Sequence, residues 1–254
     1  MTDLILFAGQ SNMAGRGEAE AAQKCPPSVG LEYRAVTAPD RLVPIEEPFG
    51  FAENRTDGID DEDKKSGSMV SAFVNAYAAA TGRSVVAVSA SEGGTSTARW
   101  LEVLAADAAD RLRAARGFLQ EQGTVPAHIL VVWCQGETDG DLNVSGEEYR
   151  QNFARIWAML KQAGAEQCGL IQIGHFNYAS HPTSRQGEDS RAVDARYEVI
   201  RRAQEQLCQE LPDVTMVGSF APCLALMKDH FHYHQQAYEE VGTQAGDAFG
   251  KMMQ

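Results

Sequence analysis

The sequence predicts an α/β fold of three layers, in which a five-stranded parallel sheet carries helices on both faces. Five short runs of apolar, mostly β-branched or bulky residues are nearly continuous, which is typical of strands covered on both faces. The runs cover residues 4–8, 85–88, 129–133, 170–173 and 214–217. Strand and helix signals alternate along the chain, and this alternation predicts parallel pairing with right-handed crossovers.

Helices are predicted where apolar residues recur every three or four positions and so share one helical face. Residues 69–77 show this spacing before the second predicted strand, and residues 101–119 show it after that strand. The same spacing follows the third strand at 149–160, follows the fourth at 193–211, and closes the chain at 238–249. These apolar stripes are expected to pack the helices onto the two faces of the sheet.

Two segments, 18–67 and 176–190, fit neither a strand nor a helix spacing. The first contains Pro26 and Pro27 and a run of acidic residues. Loops of this length are usually binding elements or insertions in a domain of this size. No linker composition or internal repeat interrupts the chain, so a single domain over residues 1–254 is expected.

The charge of the chain limits its partners. It has 22 Lys and Arg against 35 Asp and Glu, a formal net charge of -13. Such a surface repels phosphate backbones and anionic lipids, so neither nucleic acid nor a membrane is an expected partner. No stretch approaches the roughly 20 apolar residues that a membrane-spanning helix needs. A neutral or weakly charged substrate fits this composition better.

The cysteines and the N-terminal residues predict the cellular compartment of the protein. Five cysteines are an odd number, they are widely spread, and none forms a CxxC pair, so a disulfide framework or a thiolate zinc site is not expected. No basic segment or small-residue cleavage site is seen at the N-terminus. A cytoplasmic location with reduced thiols is therefore expected, unless a leader has been removed. The sequence leaves the oligomeric state open.

Polar residues follow directly after the predicted strands. In a parallel sheet ligands bind at the carboxyl ends of the strands, because the loops leave there and helix N-termini point there. In chain order the residues are Gln10, Ser11 and Asn12; Gly93, Gly94 and Thr95; Gln135, Glu137 and Asp139; Gly174 and His175; and Asp229, His230, His232 and His234. Their position predicts a functional site at this edge of the sheet.

Ser11 has two interpretations, a helix cap or a nucleophile. The segment around it lacks the Gly-Lys-Ser/Thr ending of a phosphate-binding loop and the glycine spacing of a dinucleotide-binding loop. A serine becomes a good nucleophile when a base removes its proton and an acid orients that base. Asp229 and His232 are three residues apart and can supply both groups from one tight turn. A solvated Asp beside a structural His is the alternative for that pair.

Three further residues, Gly93, Gly94 and Gln135, could stabilise a developing negative charge. Gly93 and Gly94 would let a backbone N–H approach the substrate, or would form an ordinary turn. The amide of Gln135 could donate to an oxyanion, or could be a satisfied polar residue at a strand end. Glu137 could orient a base or anchor a loop.

The histidines at 230, 232 and 234 allow a different chemistry. In an extended chain their side chains would share one face and could bind a metal. No carboxylate or cysteine with suitable spacing accompanies them, so no metal is expected. A metal-dependent hydrolase built on His230, His232 and His234 remains the alternative hypothesis, and a non-catalytic sugar-binding module is a third.

Four sequence blocks together resemble the SGNH hydrolase superfamily. They are "GQSNMAG" around Ser11, "EGGTS" at 92–96, "WCQGETD" at 133–139 and "DHFHY" at 229–233. More narrowly, they resemble the branch that holds carbohydrate esterase family six acetylxylan esterases and sialate O-acetylesterase domains. The blocks stand in the family's order and span nearly the whole chain.

This resemblance implies a flavodoxin-like SGNH hydrolase fold and a role for each matching residue. Ser11 aligns with the nucleophile, Asp229 with the acid and His232 with the base. The backbone N–H groups of Ser11 and Gly94 match the donors of the oxyanion hole, and Gln135 matches the third donor.

The first and third blocks depart from the wider superfamily, which has Gly-Asp-Ser and a side-chain Asn at these places. Here Gln10 and Gln135 stand instead, as in the sugar-acetylesterase branch, and Gly93 and Glu137 are further supporting candidates. The expected protein is a serine esterase without a cofactor that removes O-acetyl groups from acetylxylan, another acetylated oligosaccharide, or an O-acetylated sialic acid.

Overall fold

A seven-stranded sheet runs through the centre of the computed structural model, which describes residues 1–61 and 64–254. The strands are β1 (Thr2–Gly9), β2 (Gly30–Arg34), β3 (Ala38–Pro44), β4 (Ser84–Ser91), β5 (Ile129–Cys134), β6 (Gln167–Gln172) and β7 (Val214–Ser219). Their order across the sheet is β3-β2-β4-β1-β5-β6-β7. All neighbouring strands are parallel except β2 and β3, which pair antiparallel. The three-layer α/β class is thus confirmed.

The prediction of five parallel strands is wrong, because the segment 18–67 contributes a hairpin. β2 extends the sheet in parallel beside β4, and β3 pairs with β2 as the antiparallel edge. Neither strand has the sequence of a buried parallel strand. β2 has Glu32 in its middle, and β3 has a proline near each end and exposed polar residues between them. Proline and charged side chains are common on edge strands, where one row of N–H groups needs no partner. Residues 62 and 63 of this segment lie outside the described residues.

Eight α-helices lie in the described parts of the chain. They are α1 (Ser11–Ala14), α2 (Val70–Thr81), α3 (Thr97–Arg99), α4 (Ala105–Glu121), α5 (Glu137–Asp141), α6 (Gly146–Gln162), α7 (Ser190–Glu210) and α8 (Gln235–Met252). A π-helical turn, Trp100–Leu104, joins α3 to α4, and short 3₁₀ turns cover Ala19–Ala21 and Ala221–Leu226. A long helix therefore stands at each of the five places where the apolar spacing predicts one.

Local sequence explains where several of these helices begin and end. Ser145 precedes α6 and accepts a hydrogen bond from the backbone N–H of Glu148. Asp189 precedes α7 and accepts one from the N–H of Arg191. Both side chains satisfy donors that the first turn of a helix leaves free. Gly82 ends α2 in the left-handed conformation, with φ of 69°.

The two faces of the sheet carry separate apolar layers. Alternate residues of β1 point to opposite faces, so Leu6 and Phe7 belong to different core clusters. Helices α4, α6 and α7 pack on the face of Leu6, while α2 and α8 pack on the face of Phe7. Burial on both faces explains why the central strands are nearly continuous apolar runs.

The sheet order locates the site. After β1 the chain forms β2, β3 and β4 on one side of β1 and then β5, β6 and β7 on the other side, so the order reverses around β1. In open α/β sheets such a reversal leaves a crevice at the carboxyl ends of the strands, where ligands bind. The residue that follows β1 at this crevice leads directly into α1 and Ser11.

Glu32, in the middle of β2, makes stability depend on pH. Its side chain is fully buried, and this burial raises its pKa to about 7 although Arg34 donates to it at 2.8 Å. Between about pH 4.5 and pH 7 the folded protein therefore keeps a proton that the unfolded chain has lost, so stability falls as pH rises through this window. We expect Glu32→Gln to reduce the fall in unfolding free energy between pH 5 and pH 8 by about 2.5 kcal/mol.

Urea denaturation at several pH values measures this effect. The control is Asp40→Asn, which removes an exposed carboxylate from the neighbouring strand β3. A Glu32→Gln protein whose stability falls between pH 5 and pH 8 as steeply as that of the wild type would contradict the prediction.

Candidate active site

The turn from β1 into α1 places Ser11 at the carboxyl edge of the sheet. The backbone N–H of Gln10 donates to the carbonyl oxygen of Cys134 at 3.0 Å, so the turn is fixed against the end of β5. Gly9 has φ of 149°, and a Cβ there would lie 1.9 Å from the same carbonyl oxygen. A glycine is therefore required where the chain leaves the strand and begins the helix.

Ser11, His232 and Asp229 form one chain of hydrogen bonds, although Ser11 and His232 are 221 residues apart. Nε2 of His232 lies 3.0 Å from Oγ of Ser11, and Nδ1 lies 2.8 Å from Oδ2 of Asp229. Both distances are within the normal range of a hydrogen bond. This geometry allows the imidazole to take the serine proton while the carboxylate holds the opposite ring nitrogen.

The segment 229–232, called here the DxxH turn, is closed by the carboxylate of Asp229. Its Oδ1 accepts the backbone N–H groups of Phe231 at 2.9 Å and His232 at 2.8 Å. Burial pushes the pKa of Asp229 upward, but the hydrogen bonds and the charge of the His232 imidazole outweigh it and hold the pKa well below its ordinary value. Asp229 is therefore ionised at any working pH.

In the described part of the chain, the backbone N–H groups of Ser11 and Gly94 have no protein acceptor. Ser11 and Gly94 both line a cavity of about 240 Å³. Gly94 has φ of 74°, which favours glycine, and a Cβ on Gly93 would lie 3.3 Å from Cβ of Ser11. The double glycine therefore passes close to the serine. The N–H of Gly93 donates to Oδ1 of Asp61 at 3.1 Å, and the N–H of Gly94 is the one that can reach a substrate oxygen.

Gln135 lies apart from these donors. It is fully buried and outside the cavity lining. Its amide nitrogen donates to Asp139 at 2.5 Å and to the carbonyl of Thr95 at 2.9 Å. An amide has two N–H donors, and both are used here, so no donor is left for an oxyanion. The placement corrects the expected donor role: Gln135 ties together the loops that follow β4 and β5.

Gln10 connects the same loops from the side of α1. Its side-chain oxygen accepts the backbone N–H groups of Gly136 at 3.2 Å and Thr138 at 3.3 Å. The residue also lines the cavity beside Ser11. Its contacts hold the start of α1 and the start of α5 in register.

Asn12, Tyr238 and Glu137 form a buried network behind the serine. The amide of Asn12 donates to Glu137 at 2.6 Å and to the carbonyl of Phe231 at 3.1 Å, and its oxygen accepts the Tyr238 hydroxyl at 2.7 Å. Burial raises the pKa of Glu137 against the Asn12 hydrogen bond. Its Oε2 has no hydrogen-bond partner in the described part of the chain. The network joins α1, α5 and α8 to the DxxH turn.

This network was only partly visible in the sequence. Asn12 stands next to Ser11 in the first block, and Tyr238 begins the apolar helix stripe of residues 238–249. A tyrosine in such a stripe carries a hydroxyl that needs a partner once it is buried, which is the signal that could have identified it.

The other histidines have separate partners. His230 stacks on His181 with ring centroids 4.2 Å apart, and Nδ1 of His234 lies 3.2 Å from Glu18. His175, which follows β6, pairs with Asp194 at 3.0 Å. The alternation of histidines does not put them on one face, because the DxxH turn is tight and not extended. Among the described residues no group of three His, Cys, Asp or Glu is placed to hold a metal ion.

The fold and the serine at the end of its first strand define a class, the SGNH-type hydrolases. Three solved structures share the fold. A protein from Arabidopsis thaliana is 22% identical with a TM-score of 0.69 and covers 97% of each chain. The carbohydrate acetylesterase XAC1771 from Xanthomonas citri is 15% identical with a TM-score of 0.54, covering 97% of this chain and 55% of its own. The lipase Lip_vut3 from a goat rumen metagenome is 12% identical with a TM-score of 0.51, covering 98% and 97%.

The family follows from the sequence itself. The model of the family described as "Carbohydrate esterase, sialic acid-specific acetylesterase" matches residues 1–251. The chain belongs to this family and is a carboxylic ester hydrolase of the carbohydrate esterase type. No curated protein sequence matches the chain. None of the helices that the structure describes is long and apolar enough to cross a membrane.

Proposed function

We propose that the protein is a serine esterase that removes O-acetyl groups from a carbohydrate through an acetyl-enzyme intermediate. The single observation that carries the proposal is the hydrogen-bond chain from Ser11 through His232 to Asp229, with distances of 3.0 and 2.8 Å. This series of hydrogen bonds ends at a cavity that Ser11 and Gly94 line, and within the described residues the backbone N–H groups of these two residues have no protein acceptor. A nucleophile, an oriented base and donors for an oxyanion are the parts that ester hydrolysis needs.

Acylation begins when Oγ of Ser11 attacks the acetyl carbonyl carbon and Nε2 of His232 takes the serine proton. The carbonyl oxygen becomes an oxyanion and accepts hydrogen bonds from the N–H groups of Ser11 and Gly94. Each well-aimed donor of this kind contributes roughly 2.7–4 kcal/mol in the transition state. The imidazolium then gives its proton to the sugar oxygen as the bond from that oxygen to the acetyl carbon breaks.

Deacylation repeats these steps with water. His232 takes a proton from a water molecule, whose oxygen attacks the acetyl carbon. The bond from that carbon to Oγ of Ser11 breaks, Oγ regains a proton from the imidazolium, and acetate leaves. In both steps the ionised Asp229 stabilises the imidazolium and keeps its proton on Nδ1.

The shape of the site supports an acetylated sugar as the substrate. Beside the cavity of about 240 Å³ at Ser11 lies a second cavity of about 290 Å³, and Phe231 and Asp141 line both. The first cavity holds the acetyl group and the ring that carries it, and the second takes the part of the sugar beyond. The family description supports an O-acetylated sialic acid, and an acetylated oligosaccharide such as acetylxylan fits the same chemistry.

Arg185 is the residue of the second cavity that we expect to contact the sugar. Its guanidinium lies 5.1 Å from the ring centroid of Phe231 and forms no ion pair in the part of the chain that the structure describes. Arg185→Ala is expected to lower kcat/KM for an acetylated disaccharide about 2- to 10-fold, the equivalent of one hydrogen bond. The kcat/KM for p-nitrophenyl acetate is expected to stay unchanged, because this ester leaves the second cavity empty.

Arg191→Ala is the matched control for this prediction. Arg191 also lies over an aromatic ring, that of Tyr178 at 4.7 Å, but outside the lining of both cavities. It is expected to hydrolyse both esters like the wild type. Equal losses of kcat/KM on both esters in Arg185→Ala would contradict a sugar contact.

Two measurements test the proposed function: acetate release from candidate substrates and covalent labelling of the nucleophile Ser11. Acetate release is measured from acetylated mono- and oligosaccharides, including an O-acetylated sialic acid. A fluorophosphonate that reacts with activated serines is expected to add one label per chain, on the Ser11 peptide, and to abolish acetate release. Acetate release that persists after Ser11 is fully labelled, or its absence from every acetylated sugar, would overturn the proposal.

A further inference from the structure

The loop that follows β6 packs against the DxxH turn through a buried asparagine. Asn177 is 1% exposed. Its backbone N–H donates to the carbonyl of His230, and its side-chain amide donates to the carbonyl of Asp229, each at 2.9 Å. One residue of this loop therefore holds two successive carbonyl groups of the turn that carries the acid and the base.

The acceptors of Asn177 hold its own loop in place. Its side-chain oxygen accepts the N–H of Ser180 at 3.1 Å, and its carbonyl accepts the N–H of His181 at 3.0 Å. The ring of His181 then stacks on His230, with centroids 4.2 Å apart. Because the N–H groups of Ser180 and His181 both donate to Asn177, the position of Asn177 within its own loop is fixed.

The turn needs such external support. The bonds from Asp229 to Phe231 and His232 fix the inside of the turn, but they do not fix its position relative to Ser11. On the side of Ser11, the amide of Asn12 donates to the carbonyl of Phe231 at 3.1 Å. From the loop after β6, Asn177 donates to the carbonyls of the two preceding residues. Two buried asparagines from different parts of the chain therefore hold three successive carbonyl groups of the turn.

We propose that Asn177 is a positioning residue for the base, which rests on the proposed role of Ser11, His232 and Asp229. It acts through Asp229 and His232 and does not touch the substrate. Without its side-chain amide the turn keeps the Asn12 contact but loses the bond to the carbonyl of Asp229 and is held less firmly. A shift of about 1 Å takes the 3.0 Å contact between Nε2 and Oγ beyond hydrogen-bond range. Misplacement on this scale costs on the order of 100-fold in rate.

Two variants test the proposal. Asn177→Ala removes the donor and the side-chain acceptor. Asn177→Asp keeps an oxygen for the N–H of Ser180 but has no donor for the carbonyl of Asp229. Both variants keep the backbone N–H bond to the carbonyl of His230, so they test the side-chain bond to the turn. Both are expected to lower kcat for p-nitrophenyl acetate about 10- to 100-fold, with KM within about twofold of the wild type.

The rate of fluorophosphonate labelling separates positioning from folding. Labelling needs Ser11 activated by His232 but no sugar contact, so its rate is expected to fall by the same factor as kcat. The final extent of labelling counts the folded chains, and kcat is expressed per labelled serine. The control is Asn75→Ala, which removes an amide donor to a loop carbonyl, that of Lys24 at 3.0 Å, away from the site.

A fall in kcat and in labelling rate in both Asn177 variants, with wild-type values in Asn75→Ala, supports the proposal. Variants that lose thermal stability or final labelling while kcat per labelled serine is unchanged would overturn it, and so would a rise in KM at constant kcat. A failure of the proposed function looks different, since the wild type itself would then leave Ser11 unlabelled or release no acetate.

Discussion

Replacing Ser11 by alanine is expected to lower kcat for acetate release by a factor of about 10³–10⁶. The variant has no oxygen to attack the acetyl carbon, so no acetyl-enzyme can form. The backbone N–H groups of residues 11 and 94 remain, and they can still stabilise an oxyanion formed by direct attack of water. This residual effect is why the expected loss has an upper limit near 10⁶ and the activity does not vanish.

The Ser11→Ala measurement is meaningful only if the variant folds like the wild type. Ser11 loses only the 3.0 Å contact with His232, so its thermal midpoint is expected to stay within a few degrees of the wild type. Ser96→Ala is the matched control. Ser96 is also a buried serine in a segment that follows a strand, β4, at the carboxyl edge of the sheet. Its hydroxyl caps α3 by accepting the N–H of Arg99. Its kcat is expected to be unchanged. A Ser11→Ala protein that keeps more than a tenth of the wild-type kcat would contradict the mechanism.

The central part of the fold could be predicted because the determining signals are local. Four of the five predicted strands, β1, β4, β5 and β6, are buried on both faces and therefore appear as apolar runs, and the edge strand β7 is partly buried. Each long helix shows its buried stripe every three or four residues. The hairpin of β2 and β3 could not be predicted in this way. Its outer strand is exposed, and its inner strand buries Glu32, a residue that composition assigns to the surface.

The site residues that follow the ends of strands could be predicted from the sequence. Ser11, Gly94, Asp229 and His232 lie at one edge because parallel strands bring their carboxyl ends together. Partners that depend on packing left no comparable signal. Gln135 was expected to donate to an oxyanion because an amide at a strand end can do so, but the carboxylate of Asp139, four residues later, takes its donor.

Asn177 shows the same limit. It lies in the segment 176–190, which has no periodicity, and its partners Asp229 and His230 are more than 50 residues away. An asparagine in such a loop is typical of a turn. Nothing in the sequence distinguishes an asparagine that forms a turn from one that hydrogen-bonds to another loop. Only the three-dimensional contact between the loops after β6 and β7 reveals it.

Asp229→Asn is expected to lower kcat by about 10⁴ while leaving the fold intact. Oδ1 accepts two backbone N–H groups and must remain an oxygen, so the amide nitrogen takes the place of Oδ2, 2.8 Å from Nδ1 of His232. That nitrogen donates to Nδ1, which therefore loses its proton. The neutral ring then carries its proton on Nε2, where it points at Ser11 and cannot accept the serine proton.

The measurement is kcat for acetate release together with the rate of fluorophosphonate labelling, and both are expected to fall together because both need a free lone pair on Nε2. Glu166→Gln provides a matched change at a second carboxylate–imidazole pair, that of Glu166 with Nδ1 of His128 at 3.3 Å, far from the cavity. It is expected to leave both rates unchanged. If Asp229→Asn labels Ser11 as fast as the wild type does, then the carboxylate does not set the tautomer of His232, and another group, such as the buried Glu137, must orient the base.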